Sequence, residues 1–129
     1  MQANIKDLRK AFFKGWSRDT SYPRTKARWS PKNPAFGQCA VTSLVVNDLY
    51  GGKIVYNKDY HHYWNILDNG SEIDLTREQF GKGVVITGFT VASRDYMMHS
   101  EAAERAKTKK RYELLKGTVE KLLLVEAIK

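Results

Sequence analysis

The stretch HHYWNILDNGSEIDLT most restricts the fold, because it sets two β-forming runs on either side of Asp68-Asn69-Gly70. Aromatic and β-branched residues favour a pleated strand, and glycine supplies the positive φ that a tight hairpin turn requires. If the loop has three residues with Gly70 left-handed, Leu67 faces Ser71 and His62 faces Thr76. Asp74 then shares a face with His62 as a diagonal neighbour, roughly 7–8 Å away at the backbone, a gap that an imidazole and a carboxylate can span. His61 turns to the other face with Tyr63, Leu67, Ile73 and Leu75. A two-residue Asn-Gly loop would slip the register and move Asp74 away from His62, and the sequence leaves both registers open. Asp74 also has an ordinary structural use, as a strand-end acid capping the TREQF turn.

Elsewhere the chain alternates helix and strand signals. Asn4 caps a first helix whose Ile5, Leu8, Phe12 and Trp16 fall on one stripe. The segment SRDTSYPRTKARWSPKNPAFG carries all three prolines and predicts an ordered but irregular arm. From Cys39, the residues Ala40, Val41, Leu44, Val45 and Leu49 make a helical face that Gly51-Gly52 stops. KIVYN reads as a strand, GVVITGFTVA as another, and Ser93 to Lys116 as one long helix ended by Gly117, with TVEKLLLVEAI a short final helix. The class is α+β: a helix led by Cys39, packed on a small antiparallel sheet, with extra N-terminal and C-terminal helices. With 129 residues, 42% of them apolar, and no linker or repeat, residues 1–129 form one domain.

No run approaches the ~18 apolar residues of a membrane span, and the N-terminus lacks a signal-peptide pattern, so the expected location is cytoplasmic, with no membrane partner. The net charge of +8 is uneven. Residues 1–32 carry nine Lys/Arg against two acids and residues 100–129 eight against five, while the middle is slightly acidic. Solvated helix faces explain this, and an acidic protein or a nucleic-acid backbone is the partner it would suit.

The single cysteine cannot form an internal disulfide, so its role is packing or thiol chemistry. At a helix N-terminus, unpaired N–H groups and the partial positive charge stabilise a thiolate and can hydrogen-bond an acyl oxyanion. A nucleophilic cysteine also needs an imidazole to take its proton and a group to hold that imidazole. His62 and Asp74 suit these roles, whereas His99 reads as an exposed histidine on a polar helix. Gly37 would let substrate approach closely, and Gln38 could donate to the oxyanion. Cys39, His62 and Asp74 are also acceptable zinc ligands, but no short-range ligand pair supports a metal site.

The blocks W29-S30-P31-x-N33-P34, G37-Q38-C39-A40-V41-T42, H62-Y63-W64-N65 and E72-I73-D74-L75-T76-R77-x-Q79-F80 resemble the small bacterial YunG family, over residues 29–80. The Cys, H-x-W-N and D-x-T elements are also similar to transglutaminase-like, papain-related thiol enzymes. The resemblance implies a papain-like core and a Cys39-His62-Asp74 triad without naming a substrate. The thiol-hydrolase pattern puts an oxyanion amide six residues before the nucleophile, at Asn33, in competition with Gln38. Trp64 and Trp29 would wall the pocket, although a large aromatic beside a turn is also ordinary core.

The function expected is acyl transfer on a protein or a small amide substrate, without a cofactor: an amidase, a peptidase or a deamidase-like hydrolase, or a transferase if an amine replaces water. The alternative is a catalytically inactive papain-like scaffold, whose basic ends bind an acidic protein or nucleic acid.

Overall fold

The computed structural model describes residues 4–128. Helix α1, Ile5–Gly15, starts where the Asn4 side chain accepts a hydrogen bond from the Asp7 N–H at 2.9 Å. Leu8 and Phe12 are completely buried and Trp16 nearly so, while Ile5 lies half exposed at the rim. The proline-bearing arm folds into two short 3-10 turns, Arg18–Thr20 and Pro23–Arg28, which lead into a Ser30–Asn33 bridge.

Helix α2, Cys39–Tyr50, buries every side chain from Val41 to Val46 and stops where Gly51 takes φ +73°. It packs between strand β2, His62–Ile66, and the C-terminal helix α5, Thr108–Ala127. Four antiparallel strands follow: β1 Lys53–Asn57, β2 His62–Ile66, β3 Glu72–Ile73 and β4 Thr90–Val91, in the order β3-β2-β1-β4. The hairpin takes the three-residue register, with Asn65 opposite Ile73 and the Leu67 N–H on the Ser71 carbonyl at 2.8 Å. Gly70 sits at φ +88°, where a side chain would be strained. The buried Asn65 carboxamide ties β2 to α2 by donating to the Ser43 carbonyl at 3.0 Å.

Three expectations change. The run GVVITGFTVA gives only the two-residue β4, because Val85 and Phe89 stay exposed and only Thr90 and Val91 pair with β1. The helix expected from Ser93 to Lys116 is instead α3 Arg94–His99, α4 Glu101–Arg105 and the start of α5 Thr108–Ala127. Ser93 and Ser100 each cap a new start, and Lys107 breaks the path at φ +54°. Gly117 ends nothing: α5 runs through it, with Leu115 and Val119 buried on either side. The third change is His61, which precedes the strand in a turn at φ +50° and lies exposed rather than on a sheet face.

A polar cluster joins three of the helices. Arg94 donates to the Leu44 carbonyl, Asn47 and Asp48, and Asp48 also meets Tyr112 and Lys116. Burial, then the hydrogen bond to Asp48, raises the Tyr112 hydroxyl above its ordinary pKa. The cluster pins α2, α3 and α5 together.

Candidate functional site

Gly37 sets the position of Cys39. At φ +73° its carbonyl accepts from the Tyr22 N–H at 2.9 Å, and its own N–H donates to Gln79 Oε1 at 3.2 Å. A Cβ there would stand 2.3 Å from Ser21 Oγ and 2.9 Å from the Tyr22 nitrogen, so glycine is required for the arm to close on the loop. Cys39 is the first residue of α2, and no side chain caps that end. The N–H groups of the first turn therefore have no partner within the helix. The residue is partly exposed, with Sγ 3.7 Å from the His61 carbonyl oxygen.

His62 opens β2 and is fully buried. Its ring stacks on Trp64 at 5.5 Å and meets the edge of Phe80 at 4.9 Å. Nε2 lies 2.7 Å from Asp74 Oδ2, the same oxygen that Arg77 Nε approaches at 2.7 Å. Asp74 Oδ1 accepts from the Thr76 N–H, so this carboxylate also holds the turn that follows it. With Nε2 on Asp74, the free ring atom is Nδ1, buried and without a hydrogen bond of ordinary geometry. The Cys39 Sγ approaches the carbonyl of the preceding residue, His61, and the thiol is one of the neighbours that raise the ring's pKa. Burial is the largest single influence on the imidazole and pushes its pKa down, but Asp74 and Cys39 outweigh it and raise the ring to about 9.

Gln38, Asn33 and Trp29 are engaged away from His62 and Asp74, whereas Trp64 packs on the His62 ring. Gln38 is buried and its amide donates to the Ser17 carbonyl at 2.9 Å. The Asn33 amide approaches the Gln79 carbonyl at 3.5 Å. Trp29 donates to the Pro34 carbonyl within the arm and lies under the Arg18 guanidinium. Trp64 is buried behind His62, where it donates to Glu72 at 2.8 Å and carries the Arg77 guanidinium over its ring at 5.5 Å.

A cleft of about 950 Å³ opens beside Cys39, with Gly37 on its wall. Gln79 lines it and was absent from the expected site, although it stands five residues beyond Asp74 in a quoted block. Among the described residues its buried Nε2 has no partner, while its Oε1 accepts from the Gly37 N–H. Among the described residues no group of three or more His, Cys, Asp or Glu side chains is arranged to hold a metal ion, and no helix is long and apolar enough to cross a membrane.

A family model described as YunG protein matches residues 4–124. The chain is 39% identical over 67 residues to the uncharacterized protein YunG of Bacillus subtilis (strain 168), a match that covers 50% of this chain and 53% of that protein. The matched stretch thus spans about half the length of this relative. No solved structure matches the chain.

Proposed function

The chain belongs to the YunG family, and we propose that it is a thiol acyl-transfer enzyme with a papain-like or transglutaminase-like core, using Cys39 as nucleophile, His62 as proton carrier and Asp74 as its holder. The observation that carries this reading is the His62 ring. One nitrogen is fixed by Asp74 at 2.7 Å and the other is left unpartnered, and the chain's only cysteine brings its Sγ to 3.7 Å from the carbonyl of the preceding residue, His61.

The imidazole that Asp74 holds is the group that takes the thiol proton. The sulfur then attacks a carboxamide or ester carbonyl, forming a C–S bond as the carbonyl electrons move onto oxygen. The N–H groups at the start of α2 receive that oxyanion, and Gln79 Nε2 is the side-chain donor with a hydrogen bond to spare. As the oxyanion collapses the C–N or C–O bond breaks, and the leaving group departs with the proton from His62. Water then adds to the thioester, giving up a proton to His62. The C–S bond breaks, the carboxylic acid leaves, and the proton returns to Cys39. An amine in place of water gives transfer instead of hydrolysis.

The test is alkylation of Cys39 by iodoacetamide across pH. Reaction at least ten times faster than an exposed model thiol near pH 6, lost in His62→Ala, is the expected result. A rate that tracks an ordinary thiol of pKa ~8.5 would sink the proposal.

A further inference from the structure

Arg111 on α5 is 6% exposed, yet among the described residues it forms no ion pair. Its Nε donates to the Ala106 carbonyl at 2.8 Å and its Nη1 to the Thr20 carbonyl at 3.0 Å. A guanidinium has five N–H donors and stays charged, and one buried without an anion is costly. This side chain lines the cleft that Cys39 lines. So does Arg28, with its guanidinium over Phe36 at 5.2 Å, and among the described residues no aspartate or glutamate lines that cleft. Five tyrosines also line it: Tyr22, Tyr56, Tyr60, Tyr63 and Tyr96.

From this arrangement we infer that the cleft takes a small acyl substrate or short peptide carrying a carboxylate, with Arg111 as the specificity-determining residue that receives the carboxylate while the acyl carbon lies at Cys39. The inference rests on the thiol reading of the site and adds the substrate class to it. A carboxylate matches the planar fork of a guanidinium, and it replaces the counter-ion that the fold does not supply. Burial lowers the Arg111 pKa to about 10, with Cys39 and Tyr22 acting the other way, so the group remains cationic at neutral pH. The cleft volume suits a small molecule or a few residues of peptide rather than a folded surface. Its tyrosine rings suit an apolar or aromatic body between the two ends.

The experiment compares alkylation of Cys39 by N-chloroacetyl-phenylalanine and by its neutral carboxamide, with iodoacetamide measured alongside. The expected result is at least a tenfold preference for the acid in the native protein. That preference should disappear in Arg111→Gln, survive in part in Arg111→Lys, and disappear in urea-unfolded protein. Equal rates for acid and amide in the native protein overturn the inference, as does a preference that persists in folded Arg111→Gln. If Arg111→Gln does not fold, protection of native Cys39 from iodoacetamide decides: 3-phenylpropionate must protect at least ten times better than 3-phenylpropanamide. Stronger protection by inorganic phosphate than by 3-phenylpropionate reassigns the site to phosphate and overturns the carboxylate. A sluggish reaction with iodoacetamide beside an intact acid preference defeats the enzyme reading alone. A fast reaction without the preference defeats only the carboxylate.

Discussion

Asp74 Oδ2 lies 2.7 Å from both His62 Nε2 and Arg77 Nε, so one carboxylate oxygen is shared by a buried imidazole and a guanidinium. Asp74→Asn keeps the shape but removes the charge that both partners face. The proposed site then loses its hold on the tautomer that leaves Nδ1 free. Alkylation of Cys39 near pH 6 should slow by at least tenfold, with a stability loss of about 1–3 kcal/mol measured by urea unfolding. An unchanged alkylation rate would remove Asp74 from the proposed machinery.

The His62 imidazole links the site to stability through pH. Its folded pKa, about 9, is above the ordinary 6.5, so protonation favours the folded state. Its contribution is complete below about pH 6.5, declines as pH rises, and is gone above about pH 9. The difference is of order 3 kcal/mol. Urea unfolding from pH 6 to pH 9.5 should show this decline, and His62→Gln should flatten it.

Gly37→Ala should destabilise the protein by about 1–3 kcal/mol, because the backbone is left-handed and the added methyl meets Ser21 and the Tyr22 nitrogen. Thermal melting measures the loss. A melting point within a degree of the parent would show that the arm yields at no cost.

Gln79→Glu retains an acceptor for the Gly37 N–H and removes the spare Nε2 donor. If that donor serves the oxyanion, hydrolysis of a p-nitrophenyl ester falls about 10²–10³-fold, while iodoacetamide, which forms no oxyanion, still reacts within a factor of three. Equal loss in both assays would mean that Gln79 only shapes the loop.

The hairpin and the helix led by Cys39 were legible because each rests on local chemistry, a glycine with positive φ at position 70 and an apolar face bounded by Gly51, but of the two registers open to that turn it is the structure that selects the three-residue loop. The approach of His62 to Asp74 follows from that register. The run after Gly83 was misleading because β propensity needs a partner strand, and β1 offers only two paired positions to it. The single helix expected from Ser93 was misleading for a related reason. Ser100 competes for the backbone as a cap, whereas Gly117 costs too little to stop a helix held by Leu115 and Val119. Arg111 and Gln79 could not be singled out by pattern, since an arginine on a basic helix and a glutamine in a turn are ordinary until tertiary packing buries them.

The hydrogen bond from Arg111 to the Thr20 carbonyl closes a loop of 91 residues. The proposed reactive groups all lie between positions 37 and 79, on neighbouring pieces of chain, but the cleft's buried arginine is delivered by the last helix. Closing so long a loop is entropically expensive and is compensated only once the non-local contacts form. The thiol and its imidazole can therefore meet early in folding, before the cleft exists. Selection among substrates becomes possible only when the arm near Thr20 and the final helix have docked.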